Sequence, residues 1–267
     1  MKIVVFDLDE TLGYFIEIGI FWELLNKKYK LTQENFNELL DLYPEFLRPN
    51  IINILNFLKQ KKESKCCNKM MIYTNNQGPE KWAHQIINYF ESKVKYKLFD
   101  QIISAFKING KQIEICRTTH DKTHGDLIKC TKIPLNTEIC FLDDNYYSEM
   151  VNENVYYINV KPYLYDLQFD EIILRFLNSE LGKLLIKKDE KDNFKNVFIN
   201  EFNKYKFNYK NKNADDYDID KILSRQILTH LHEFFNKTNN NNNRTKNNRT
   251  KNNRTKNNRT KKNKTKK

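Results

Sequence analysis

Four short apolar runs punctuate the first half of the chain: residues 2–6 (KIVVF), 69–73 (KMMIY), 99–105 (FDQIISA) and 139–142 (ICFL). Apart from the third they show little alternation, as expected of strands covered on both faces in a parallel sheet. Between them the apolar spacing turns helical. In 49–61 (PNIINILNFLKQK), Ile51, Ile52, Leu55 and Leu58 recur at helical intervals, and 79–92 opens on a proline suited to a first turn. Strands alternating with helices predict an α/β fold: a parallel sheet flanked by helices and joined by right-handed crossovers. Ligands of such sheets sit beyond the carboxyl ends of the strands.

Two connections stand out. Residues 13–43 carry Tyr14, Phe15, Phe21 and Trp22, which suit either a flap facing a substrate or an amphipathic helix (FWELLNKKY) packed on the body. The stretch AFKINGKQIEI carries Asn109-Gly110, a turn signal for a hairpin. Beyond residue 178 a charged stretch leads to 216–235. There Ile219, Ile222, Leu223, Ile227, Leu231, Phe234 and Phe235 form a stripe near helical period, expected to dock on the body or on a partner. His230 and His232, two residues apart, fall on different faces of that helix, so a shared metal is not expected.

Charge changes the picture only at the end of the chain. The formal net charge is +12, but residues 236–267 hold thirteen Lys and Arg and no acid, which leaves the remainder at −1. This tail repeats NNRTK at 242–246, 247–251, 252–256 and 257–261, with no apolar residue, and is expected to be disordered. It reads either as a polybasic arm for nucleic acid or another polyanion, or as drifted low-complexity sequence. Its Asn-Arg-Thr sequons are expected to be idle without a secretory signal. The domains expected are 1–178, a helical extension 179–235, and the tail 236–267. Five cysteines, odd in number and without a CxxC pair or zinc spacing, argue for a reducing compartment rather than a disulfide framework. With no apolar run near ~18 residues and no signal-peptide pattern, the expectation is an intracellular protein, cytoplasmic or nuclear, neither secreted nor in a membrane.

Candidate chemistry follows the strand ends. Side chains alternate along a strand, so Asp7 and Asp9 leave on one side while Leu8 and Glu10 point the other way. The second run is followed by Thr74-Asn75-Asn76 and the fourth by Asp143-Asp144. Acids and a hydroxyl from three distant segments thus gather at one edge of the predicted sheet.

These residues resemble the motifs of the haloacid-dehalogenase-like hydrolase superfamily: an Asp-x-Asp-x-Thr on the first strand, a Ser/Thr after the second motif strand, a lysine, and a paired acid. Within it the chain is most similar to the NLI-interacting-factor-like phosphatases, which act on the carboxy-terminal domain of RNA polymerase II. The shared stretches are DLDETL (7–12), LRPN (47–50), MMIYTNN (70–76), LFDQIISA (98–105), DL (126–127), FLDDN (141–145) and KPYLYDLQFDEIILRFL (161–177). The resemblance covers residues 1–177 and implies a Rossmann-like fold. It departs from the family at the lysine, normally placed directly before the Asp-Leu pair; Lys122 lies four residues ahead, with Lys129 and Lys132 as alternatives.

The resemblance implies Asp7 as nucleophile, forming an aspartyl-phosphate, and Asp9 as acid and base, with its carbonyl on a metal. It implies Thr74 and the Asn75 N–H as phosphoryl ligands, Lys122 as charge neutraliser, Asp144 as a metal ligand and Asp143 as a second or water-mediated one. Thr11 is expected to brace the loop. A carboxylate attacks a phosphate dianion only if a cation screens the repulsion, and Mg²⁺, which takes hard oxygen ligands, fits that task. No large lid domain is expected between the motifs, and an open site favours a macromolecule. The function implied is Mg²⁺-dependent hydrolysis of phosphoserine or phosphothreonine in a phosphoprotein. A phosphatase for nucleic-acid ends and a non-catalytic module tethered to polyanions are the alternatives.

Overall fold

The computed structural model of the chain describes residues 1–78, 81–205 and 212–237. Five parallel strands form one sheet in the order β3-β2-β1-β6-β7. They are β1 (Lys2–Phe6), β2 (Lys69–Tyr73), β3 (Gln101–Ile103), β6 (Glu138–Asp143) and β7 (Val155–Asn159). Helices α1 (Ile16–Tyr29), α2 (Gln33–Asp41) and α3 (Ile51–Glu63) connect β1 to β2, α4 (Trp82–Val94) connects β2 to β3, and α5 (His124–Thr131) precedes β6. The chain winds outward from β1 to β3, then returns to the other side of β1, so the direction of winding reverses between β1 and β6. That reversal opens a crevice at the carboxyl ends of these two strands.

Both faces of the sheet are covered. Ile3, Val5, Met71, Tyr73, Ile103, Ile139 and Phe141 pack with Leu127 of α5 and with Met150 on one side. Val4, Phe6, Met70, Ile72 and Leu142 alternate with them and are equally buried. The registers Phe6↔Ile72 and Phe6↔Leu142 bring the three central strands to a nearly common end. The amide of Asp7 donates to Leu142 O (2.8 Å) and that of Thr74 to Ile103 O (3.0 Å), which carries the pairing one step past the strands.

The aromatic segment after β1 packs on the body as a helix rather than standing off as a flap. Phe15, Phe21 and Trp22 are buried, Phe21 against Phe176, Phe198 and Phe202. The predicted hairpin is present as β4 (Lys107–Ile108) and β5 (Lys111–Gln112), with Asn109 and Gly110 both at positive φ, as a tight hairpin turn requires. Helices α6 (Phe169–Asn178), α7 (Glu180–Leu185) and α8 (Lys191–Phe202) follow β7.

Several expectations need correction. The third apolar run is strand only over Gln101–Ile103, and β7 was not anticipated. Across residue 178, Phe194 and Phe202 stack on Phe176 and Phe169, and the first compact unit runs from Met1 to Ile227. In residues 214–227, which are helical, the buried positions are Asp220, Ser224 and Ile227, whereas Ile219 and Ile222 are exposed. An ion pair between Lys212 and Asp220 explains why an acid lies on the inner side. Of the second unit, which begins at Leu228, the described residues 228–237 are helical. The predicted disordered tail lies outside the described residues from 238 onward, as does the proline expected to open the helix at 79. Cys116 and Cys130 form a disulfide, contrary to the expectation from cysteine spacing, while Cys66, Cys67 and Cys140 are free thiols. Among the described residues no helix is long and apolar enough to cross a membrane.

Candidate active site

The crevice between β1 and β6 is lined by carboxylates. Asp7 leaves the end of β1, Asp143 closes β6 and Asp144 follows it; one oxygen from each lies within 4.8 Å of the others. Lys122 reaches into this group and is 1% exposed. Its ammonium donates to Asp143 Oδ2 (2.6 Å) and to Asp7 Oδ1, and lies 5.6 Å from the centre of the Tyr147 ring. Burial alone would lower the lysine's pKa, but the Asp7 and Asp143 carboxylates more than reverse this and hold it firmly protonated. Asp143 is pushed up by burial and by Asp7, against the opposing pull of Lys122.

The backbone around Lys122 is fixed by its neighbours. Thr123 caps α5, its hydroxyl accepting from the Asp126 amide (3.0 Å). Buried Asp126 in turn accepts from the Thr118 amide (2.8 Å) and hydroxyl (3.0 Å), so the 118–122 turn is tied to the helix it precedes. The lysine's displacement ahead of Asp126-Leu127 thus places it at the sheet edge, while Lys129 and Lys132 are exposed.

Asp9 stands apart from the three-acid group. Its Oδ2 accepts from Asn76 Nδ2 at 2.6 Å. Burial, followed by the charge of Asp7, raises its carboxyl to about 7. Asn76 was not singled out from the sequence, and nothing about an amide in a polar loop would have marked it. Its own geometry is well determined: the Asn76 amide donates to Thr74 Oγ1 (3.0 Å), and Asn76 Oδ1 accepts from the Gly78 amide (2.8 Å). A Cβ at Gly78 would lie 2.8 Å from that same Oδ1, so a larger residue there would displace the Asn76 side chain. Thr74 is buried. The Asn75 side chain is directed to Tyr147 OH (3.1 Å) rather than to the acids. Thr11 donates to Asp144 Oδ1 (3.2 Å), the bracing role expected of it.

Two arginines, each 1% exposed, hold the site's loops, and sequence spacing gave no sign of this. Arg48 donates to the carbonyls of Thr11 (2.6 Å), Glu10 (2.5 Å) and Lys161 (2.8 Å), fixing the turn after β1. In that turn Glu10 adopts positive φ, and a Cβ on Gly13 would come 2.5 Å from Phe46 O. Arg117 donates to the carbonyls of Ser104 (2.9 Å), His120 (2.8 Å), Thr74 (3.2 Å) and Asp121 (3.3 Å), and its guanidinium lies 4.8 Å from the Tyr73 ring centre. It joins the end of β2, the end of β3 and the turn leading to Lys122.

Two cavities meet at Asn76 and Gly78. One, of about 220 Å³, contains Asp9 and is walled by Phe15, Ile16, Ile20 and Trp82. The other, of about 590 Å³, extends from Thr74 and Ser104 along the β4–β5 hairpin. Comparison with family models, with curated proteins and with solved structures returned no match.

The three-acid group suits a hard divalent cation. All of its donors are carboxylate oxygens, and among the described residues Lys122 is the only cation bonded to them, which leaves an excess of negative charge at one point.

Proposed function

We propose that the protein is a metal-dependent phosphomonoester hydrolase of the haloacid-dehalogenase-like type, acting on phosphoserine or phosphothreonine in protein through a phosphorylated Asp7. The observation that carries this reading is the convergence of Asp7, Asp143 and Asp144 within 4.8 Å at the crevice between β1 and β6, with Lys122 among them.

Mg²⁺ is the ion whose ligand preference fits, and Asp7, Asp144, the Asp9 carbonyl and, directly or through water, Asp143 would hold it. It supplies charge screening between the phosphate dianion and the attacking carboxylate. Thr74 and the Asn75 N–H hold the phosphoryl oxygens, and Lys122 offsets the charge that builds on them. Asp7 forms the new O–P bond as the ester O–P bond breaks. Asp9 gives its proton to the departing alkoxide, then takes one from the water that hydrolyses the aspartyl-phosphate, releasing inorganic phosphate and restoring Asp7. A carboxyl group raised to about 7 suits both directions of that transfer near neutral pH, and the Asn76 hydrogen bond orients it.

The test is hydrolysis of p-nitrophenyl phosphate, phosphoserine peptides and 5′- and 3′-phosphorylated oligonucleotides, with Mg²⁺ and with EDTA, by the wild type and Asp7→Asn. The proposal expects Mg²⁺-dependent release of phosphate from the peptides, lost in the variant. Turnover of oligonucleotides alone would replace the protein substrate with nucleic-acid ends, and no turnover of any ester would remove the enzymatic reading.

A further inference from the structure

The larger cavity has a character of its own. It begins at Thr74, a phosphoryl ligand in the proposed reaction, and continues past Ser104 to Asn109, Lys111, Gln112 and Ile113 of the hairpin. Its volume of about 590 Å³ falls within the range of ~300–1,000 Å³ typical of ligand sites. Among the described residues that line it, Lys111 is the charged one and none is an acid. The hairpin segment 106–113 (FKINGKQI) likewise contains two lysines and no acid. This contrasts with the crevice next door, where three carboxylates converge.

The Asn109 amide offers a donor and an acceptor that match the main chain of a peptide, while Asn76 is held by Asp9 and Gly78 and Gln112 Nε2 is turned to the carbonyls of Glu114, Ile115 and Arg117. A strand of nucleic acid would call for a continuous basic groove and aromatic surfaces for its bases. Among the described residues the lining has a single lysine and no aromatic side chain.

Resting on the phosphatase reading above, we infer that this cavity is a substrate subsite for the polypeptide flanking the phosphorylated residue, in which Lys111 selects an acidic neighbour, a carboxylate or a second phosphate. The substrate chain crosses Asn76 and Gly78, where the two cavities meet, with the phosphorylated side chain directed down to Asp7. Lys111 is exposed, stands on the hairpin and takes no part in the chemistry, so its replacement leaves the reacting groups in place.

The experiment uses the full chain with saturating Mg²⁺ and three phosphoserine peptides that differ only in having Glu, Gln or Lys beside the phosphorylated residue. An oligonucleotide 5′-phosphate and p-nitrophenyl phosphate complete the set, and wild type is compared with Lys111→Ala and Lys111→Glu. An exposed charge pair is worth up to about fivefold in affinity, so wild type should favour the Glu peptide over the Gln peptide by about that factor in KM. Lys111→Ala should level the series and Lys111→Glu should reverse it, with p-nitrophenyl phosphate turnover unchanged. Fluorescence anisotropy of the same peptides on Asp7→Asn measures binding independently of turnover. If no ester is hydrolysed but the acidic peptide still binds best through Lys111, the subsite stands and the phosphatase reading falls. If p-nitrophenyl phosphate is hydrolysed but neither KM nor binding follows the flanking charge, or the oligonucleotide is preferred, the subsite is overturned and the phosphatase chemistry survives.

Discussion

Replacing Lys122 by methionine removes a buried charge while keeping much of the side chain's length. In the native protein Lys122 bridges Asp7 and Asp143, whose side chains are 9% and 0% exposed. Breaking a buried ion pair by deleting one partner costs about 3–5 kcal/mol, because the remaining charge has neither water nor a counter-ion. That is a large part of the ~5–15 kcal/mol typical of a folded domain. The variant should therefore be marginally stable in EDTA and strongly dependent on pH. A carboxyl group raised in the folded state stabilises fully below its unfolded pKa and loses that contribution as pH rises through the folded value. Burial and Asp7 already raise Asp143, and loss of the lysine removes the main opposing influence. The stability deficit of Lys122→Met should thus be small near pH 4, grow as pH climbs past 7, and be largest in mild alkali. A divalent cation should then take over the lysine's electrostatic role. Mg²⁺ at about a hundred times its dissociation constant contributes roughly 2.7 kcal/mol, so saturation should restore much of the loss. The same titration should give tighter Mg²⁺ binding in the variant than in the wild type, since the ion no longer shares the acids with an ammonium group. Urea denaturation followed by circular dichroism, at several pH values with EDTA or Mg²⁺, reads all of these effects. Equal midpoints for variant and wild type in EDTA at neutral pH, or a Mg²⁺ increment no greater in the variant, would refute the account of Lys122 as an internal counter-ion.

Three further predictions follow from other parts of the structure. Glu17, fully buried on α1 beside Tyr14 and Asp166, has its carboxyl raised by burial from 4.5 to about 8. Native stability should fall between those pH values by up to ~1.4 kcal/mol per unit, and Glu17→Gln should flatten the urea-midpoint profile over that window. Asn76 lowers the Asp9 pKa through its hydrogen bond, so Asn76→Ala should move the alkaline limb of the kcat profile to higher pH and reduce kcat, measured on p-nitrophenyl phosphate. An unshifted limb would separate Asp9 from the proton transfer. Reducing the Cys116–Cys130 bridge, which spans 14 residues, should cost about 3 kcal/mol by the chain-entropy estimate, seen as a lower melting temperature in dithiothreitol that Cys116→Ser reproduces.

The parts of the molecule legible from sequence are those where burial is complete or the spacing is set by chemistry. KIVVF, MMIY and ICFL are covered on both faces and read as unbroken apolar runs, whereas β7 (VYYIN) is a half-exposed edge strand whose tyrosines blur the pattern. Helix α2 (QENFNELLD) buries only Phe36, Leu39 and Leu40, too short a stripe to stand out among its polar neighbours. Asp7, Asp143 and Asp144 could be placed together because strand ends in a parallel sheet share an edge, whereas Lys122, on the turn before α5, is implied only by the resemblance, with Lys129 and Lys132 as alternatives. Asn76, Arg48 and Arg117 could not, because their roles depend on backbone carbonyls and a side chain brought close by the turns themselves. Cysteine pairing was equally hidden, since a separation of 14 residues carries no geometric signature until α5 folds back against the segment that precedes it.

The shared ending of the three central strands sets how such a chain can diverge. Because Phe6 pairs with both Ile72 and Leu142, losing one residue inside β1 would turn Asp7 to the opposite face of the sheet. Lengthening the links among α1, α2 and α3 would leave the three converging carboxylates where they are. Insertions in those connections should therefore be tolerated far better than insertions or deletions within β1, β2 and β6.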